Sequence, residues 1–145
     1  MNNKIRKVHT ITDISISGIL LAIGVGLIFV NEIVGIFLII TGIALLIFFK
    51  AGYKYDNQNT ILKHKSLELS RKCQQSILDF LEGKTTDFES ITGNEGGCIL
   101  LEVWYNKSKG EAFAQLFTFQ EMNYHKSTEI IELPSESAKT LMEKL

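Results

Sequence analysis

Residues 14–49 read ISISGILLAIGVGLIFVNEIVGIFLIITGIALLIFF, and Glu32 is the one ionisable side chain among them. Residues 14–30 hold only Ser15 and Ser17 as polar side chains, and residues 33–49 only Thr41. As a helix, either run rises about 25 Å. That is the short end of what a hydrocarbon core of roughly 30 Å requires, and Ile11, Thr12 and Ala51 extend the runs at their flanks. One continuous helix would place Glu32 at mid-membrane, which is costly. The pattern therefore predicts two antiparallel transmembrane helices with Asn31 and Glu32 at the turn. Asn tolerates the left-handed conformation that ends a helix, so Asn31 is expected to close the first one.

Two competing readings fail on the same stretch. A cleaved signal peptide has a basic start and an apolar run, but here the apolar run continues past Ala22-Ile23-Gly24 and a second one follows. A buried hairpin inside a soluble fold would need far more covering surface than a chain of 145 residues supplies.

Working outward, the charges separate into two regions. Residues 1–59 balance to +2 and residues 60–145 to −3. Lys4, Arg6 and Lys7 precede the first span, Lys50, Lys54, Lys63 and Lys65 follow the second, and the turn holds no basic residue. The positive-inside rule then puts both termini in the cytoplasm, giving a multi-pass protein of the cell (inner) membrane. Lys50, Tyr53, Lys54 and Tyr55 suit the headgroup boundary, where amphipathic side chains settle. Lys outnumbers Arg thirteen to two, and Ile and Asn are common; this composition points to a bacterial source with an AT-rich genome.

Small residues recur within the spans. Gly18, Ala22 and Gly26 lie four apart on one face of the first, and Gly35 and Gly42 lie seven apart on one face of the second. Such stripes let helix backbones approach closely in lipid. They are expected either to seat the two helices against each other or to join separate chains. Neither span holds an ionisable group in its interior, which argues against a transporter with a dedicated polar pathway.

The remainder reads as a small cytoplasmic α+β domain. Leu62, Leu69, Cys73, Ile77, Phe80 and Leu81 give one apolar stripe, predicting a helix over 60–82 that Gly83 ends. Residues 84–97 read as a loop, without the pattern of a phosphate-cradling or dinucleotide-binding turn. Residues 98–106 and 111–119 are rich in β-branched and aromatic residues around the turn Lys107-Ser108-Lys109-Gly110, predicting an antiparallel hairpin. Residues 128–133 read as a third strand stopped by Pro134. Ser135 is the expected cap of a closing helix over 136–145, with Ala138, Leu141, Met142 and Leu145 on one face. The fold class expected is thus an N-terminal transmembrane hairpin followed by α-β-β-β-α with an antiparallel sheet. The domain boundaries are 1–13 for a cytoplasmic N-terminal segment, 14–30 and 33–49 for the spans, 50–59 for a connector, and 60–145 for the domain. The order helix, three strands, helix is similar to that of double-stranded-RNA-binding domains, and SESAKTLMEKL at 135–145 resembles their last helix. Glu136 stands where those domains carry a basic cluster, and the acidic balance speaks against nucleic acid as a partner.

The chemistry-bearing inventory is thin. Cys73, Cys98, His9, His64 and His125 have no zinc-site spacing. Cys73 falls on an apolar stripe, where a free thiol acts as a small hydrophobe, and a Cys98–His125 pair has no local support. Glu102 lies between Leu101 and Val103 and is expected on the solvent face of its strand, while Trp104 and Tyr105 are expected in a core or interface. No catalytic residue, cofactor or metal ligand is expected. The function expected is a membrane-anchored interaction or regulatory module whose partners are the lipid bilayer and either a partner protein or a second copy of the chain. The alternatives are an oligomerising, holin-like membrane-active effector and an accessory subunit of a larger membrane complex. Two spans joined to a cytosolic sensing domain resembles the plan of some bacterial antiphage effectors.

Overall fold

A computed structural model describes residues 5–56, 58–88 and 97–145, which form two compact units, Met1–Ile61 and Leu62–Leu145. Lys4 lies outside the described residues, as do residues 89–96 of the expected loop.

The first unit is a helical hairpin closed at its open end by a two-stranded ribbon. Strand β1 (Ile5–Val8) leads into helix α1 (Ile11–Ile28), which turns into helix α2 (Glu32–Phe48) and then strand β2 (Gly52–Tyr55). Within residues 1–13 and 50–59, expected as a plain segment and a connector, Ile5–Val8 and Gly52–Tyr55 instead pair with each other. β1 and β2 run antiparallel with Ile5 opposite Tyr55 and Val8 opposite Gly52. A capping box starts α1. The Thr10 hydroxyl accepts from the Asp13 amide at 3.2 Å, and the Asp13 carboxylate accepts from the Thr10 amide at 2.9 Å. The same carboxylate accepts from the Ala51 amide at 3.0 Å and so ties the chain leaving α2 to the first turn of α1. Asn31 corrects its expected role. Its φ of −148° is extended, and its side chain accepts from the Val34 amide at 3.2 Å, so it caps the start of α2 rather than the end of α1.

The second unit is an antiparallel sheet with two helices on one face. Its elements are β3 (Lys63–Leu69), a 3-10 turn (Arg71–Cys73), α3 (Gln74–Leu81), β4 (Ile99–Asn106), β5 (Glu111–Gln120), β6 (Asn123–Lys126), β7 (Ile131–Glu132) and α4 (Ser135–Lys144). The strand order is β3-β4-β5-β6, with β7 also on β5. The helix expected over 60–82 is therefore corrected: its first part is β3, paired with β4 from Lys63 opposite Tyr105 to Leu69 opposite Ile99. The alternation Lys65, Leu67, Leu69 puts two leucines on the core side, and seven paired residues outweigh helical spacing. Only Gln74–Leu81 is helical. It ends in a Schellman arrangement, with the Gly83 amide on Phe80 O at 3.1 Å, the Lys84 amide on Asp79 O at 2.8 Å and Gly83 at φ +75°. With a strand first, the element order no longer matches the double-stranded-RNA-binding plan.

The strand expected over 128–133 shortens to β7, and a further strand, β6, forms in the segment before it that was expected as a polar loop; both are hydrogen-bonded to β5. Thr128 lies between them and occupies β5 through its side chain, its hydroxyl accepting from the Leu116 amide at 3.0 Å. Ser135 is the first residue of α4 rather than its cap. Pro134 holds the cap position, and no side chain caps it.

The core lies between the sheet and both helices. Ile99, Leu101, Val103 and Tyr105 of β4 and Ala112, Ala114 and Leu116 of β5 meet Cys73, Ile77, Phe80 and Leu81 on one side and Ala138, Leu141 and Met142 on the other. Ala112 and Ala114 lie on the face that carries the helices, where short side chains allow close helix approach.

Candidate functional site: the apolar hairpin

The seam between α1 and α2 interleaves small residues with leucine and isoleucine, set by spacings of four, three and four. On α1 it is Ser17, Leu21, Gly24 and Ile28, and on α2 Gly35, Ile39 and Gly42. A Cβ placed on Gly35 would lie 2.6 Å from Ile28 N and 2.8 Å from Gly24 O. One on Gly24 would lie 2.8 Å from Ile39 Cγ1. One on Gly42 would lie 3.0 Å from Leu21 Cγ and 3.2 Å from Ser17 O. Backbone meets backbone here, so these positions have no room for a side chain. The Ser17 hydroxyl donates to Asp13 O at 2.9 Å and so brings no unpaired polar group into the seam.

The structure places the expected packing residues unequally. Gly35 and Gly42 lie in the seam. A Cβ added at Gly18 or Gly26 would meet nothing within 4 Å, and Ala22 is exposed. The three-residue stripe Gly18, Ala22, Gly26 therefore lies outside the contact with α2, so seating the hairpin, one of its two expected parts, does not fall to it. A strict spacing of four drifts around a helix of 3.6 residues per turn, whereas alternating four and three keeps one face. Gly24, absent from the expected set, occupies the middle of the seam, and the alternating spacing is the signal that finds it.

Outside the seam the hairpin is covered in large apolar side chains. Phe29 is 87% exposed, Phe48 82%, Ile33 81%, Phe37 68% and Ile40 60%. α1 is long and apolar enough to cross a membrane by length and composition, while α2 is a shorter apolar helix. Apolar surface this continuous is far more than a water-soluble monomer leaves open.

The ribbon at the open end collects the expected boundary residues. Tyr53 stands opposite Lys7, whose Nζ lies 5.9 Å from the Tyr53 ring centre. Lys54 stands directly opposite Arg6. Two cations in one cross-strand pair repel each other in water, and a nearby anion relieves that repulsion. Tyr55 is half-buried and Lys50 exposed.

In the second unit, the sheet face away from the helices carries a polar cluster. His64 stacks on Trp104 at 5.3 Å and pairs through Nε2 with Glu102, whose other oxygen accepts from Ser66 Oγ at 2.9 Å. Glu102, expected to face solvent, is thus engaged by two side chains of β3. The serine is bonded to the carboxylate and not to the histidine. The order is therefore not that of a nucleophile, base and orienting acid, and the cluster clamps β3 to β4. Cys73 is buried in the core and Cys98 exposed. Among the described residues, no group of three or more His, Cys, Asp or Glu is placed to hold a metal ion. No family model matches this chain, and comparison with curated proteins and with solved structures finds no match.

Proposed function

We propose that this chain is a membrane-anchored interaction or regulatory module without catalytic activity. In this reading α1 and α2 cross the cell membrane as a hairpin, and the unit Leu62–Leu145 works on the cytoplasmic side. The observation that carries it is the inverted burial of the first unit, with small and polar residues inside and phenylalanine and isoleucine outside. Lipid is the solvent in which that distribution is favourable. At 17 residues α2 spans about 26 Å, which Phe49 or local bilayer thinning brings to full depth. Arg6, Lys7, Lys50 and Lys54 gather at the open end and none stands at the turn, which supports both termini lying inside. The pairing of β1 with β2 supports retention of α1 rather than its removal as a signal sequence, because cleavage would strip β2 of its partner.

The test is topology in intact cells. In a Val30→Cys variant, a membrane-impermeant maleimide is expected to label position 30 from outside and to reach the native, exposed Cys98 only after lysis. Labelling of Cys98 in intact cells would reverse the orientation, and recovery of the protein in the soluble fraction would end the membrane reading.

A second reading is favoured by one observation: the stripe Gly18, Ala22, Gly26 is left open by the hairpin itself. We propose that, if the chain self-associates or permeabilises membranes, this stripe forms the contact. Replacing all three residues with leucine is expected to abolish cross-linked oligomers and any collapse of membrane potential on induction, while leaving the hairpin inserted.

A further inference from the structure

The ribbon of β1 and β2 has two unlike faces. Residues directly opposite each other in an antiparallel pair share a face, and successive residues alternate. Arg6 opposite Lys54 and Val8 opposite Gly52 therefore make one face, and Ile5 opposite Tyr55 and Lys7 opposite Tyr53 make the other. Lys7 is engaged on its own face, over the Tyr53 ring. The register leaves on the first face a guanidinium and an ammonium whose stems start about 5 Å apart, with Arg6 exposed and Lys54 half-buried.

Like charges in this position destabilise a strand pair, and no described residue offsets them. Neither side chain has an ion pair or a hydrogen bond among the described residues. Asp13 is buried, with its carboxylate on the Thr10 and Ala51 amides. Glu32 opens α2 at the other end of the hairpin. Asp56 lies just past β2 and makes no ion pair. The offsetting charge has to come from outside the chain.

The place of the pair indicates which anion that is. Val8 and Gly52 stand two and three residues from Thr10 and Phe49, the caps of α1 and α2, and the exposed Ile11, Phe48 and Phe49 end the apolar surface there. Arg6 and Lys54 lie one strand repeat further, about 7 Å. The headgroup layer on each side of a bilayer is roughly 5–8 Å deep, and long basic side chains at such a height reach into it. A zwitterionic headgroup supplies its own cation, whereas an anionic one leaves its phosphate free to pair with arginine and lysine.

We propose that the Arg6–Lys54 pair binds the phosphodiester of an anionic phospholipid such as phosphatidylglycerol. This rests on the membrane reading of the hairpin and adds the class of lipid it selects. Bound between the strands, the phosphate removes the cross-strand repulsion, so the ribbon closes the open end of the hairpin more firmly in an anionic leaflet than in a neutral one.

The experiment is native mass spectrometry of the full-length protein in detergent micelles, titrated with phosphatidylglycerol and with phosphatidylcholine of the same acyl chains. A cation at the membrane surface favours anionic lipid about fivefold, so the pair is expected to favour phosphatidylglycerol about twenty-five-fold. Arg6→Gln combined with Lys54→Gln is expected to bring the ratio close to one. Arg6→Lys, which keeps the charge, and Lys63→Gln combined with Lys72→Gln, at exposed positions of the second unit, are expected to preserve it. The thermal midpoint in micelles is expected to rise with phosphatidylglycerol in the native protein and to stay level in the Arg6→Gln, Lys54→Gln variant. Equal affinity for the two lipids, or a preference that survives loss of both cations, overturns the proposal while retention of the protein in alkali-washed membranes leaves the membrane reading in place. Recovery in the soluble fraction ends both.

Discussion

The two units bury opposite kinds of residue. In the two helices of the first, the buried positions are Asp13, Ser17, Gly24, Gly35 and Gly42, and the exposed large side chains are isoleucine, valine, leucine and phenylalanine. In the second, Phe80, Phe88, Ile99, Leu101 and Leu116 are enclosed, and the surface carries Lys, Glu and Ser. A fold that excludes water must hide its apolar area, and one that sits in hydrocarbon has nothing to gain by hiding it. On the membrane reading proposed above, what remains to stabilise the hairpin is close backbone contact and satisfied polar groups. That is what the glycine seam and the Asp13 bonds to Thr10 and Ala51 provide.

The largest expected effect breaks the comparison at one residue type. Phe80 is fully enclosed against Phe88, their ring centres 5.0 Å apart. Phe80→Ala is expected to cost about 3–5 kcal/mol, read as a fall in the unfolding midpoint of the second unit by calorimetry. Phe37→Ala, on the outer face of α2, removes a ring of the same size and is expected to leave that transition unchanged. Equal losses for both would mean that the hairpin's outer face is packed against protein.

Next comes the solvent of the hairpin. Ile40 lies at the middle of α2 and is 60% exposed. Ile40→Arg is nearly neutral in water. At the centre of a membrane span it costs about 2.5–3.5 kcal/mol on insertion scales. The fraction of protein retained in alkali-washed membranes is therefore expected to fall sharply. Unchanged retention together with unchanged stability would place α2 in water and remove the contrast between the units.

A smaller effect separates the seam from the open stripe by a single carbon atom. Gly35→Ala puts a Cβ 2.6 Å from Ile28 N and is expected to destabilise the hairpin by about 1–3 kcal/mol, the usual range for overpacking. Gly18→Ala meets nothing within 4 Å and is expected to be neutral, or stabilising by up to about 1 kcal/mol through helix propensity. Helical circular dichroism during heating in detergent reads both. If the two variants behave alike, the seam is misassigned.

Legibility in the sequence follows the range of the deciding interaction. The hairpin is legible in residues 14–49 because its signal is composition over a long stretch. β4 and β5 are legible because dense β-branched and aromatic residues flank a turn with Gly at its end. β1 and β2 are hidden: they are four residues each, and their pairing joins Ile5 to Tyr55 across the whole hairpin. β3 is hidden because Leu69, Cys73, Ile77 and Phe80 satisfy a helical period, so only pairing with β4 decides where the helix begins. The seam residue Gly24 escapes a strict spacing of four, because a packed pair alternates four and three.

The smallest effect concerns backbone strain, and each unit offers one case of it. Glu121 and Met122 form the two-residue loop between β5 and β6 with φ of 49° and 65°. Both take the left-handed conformation that such hairpin loops assign to Asn and Gly, so neither residue marks the turn in the sequence. A side chain there costs about 1–2 kcal/mol, and Met122 is 85% exposed, so its side chain returns little packing. Met122→Gly relieves the strain but also loosens the unfolded chain, leaving an expected net gain of about 0.5–1 kcal/mol. In the first unit Asp56 has φ 44° just past β2. Asp is one of the few residues that enter this region readily, through local hydrogen bonding of its short side chain, so Asp56→Gly is expected to gain less than Met122→Gly. Calorimetry of the full chain reads the two against each other. A larger gain at Asp56 would locate the greater stored strain in the ribbon that closes the hairpin, and would make the junction after β2, rather than the sheet, the place where the fold is most easily improved.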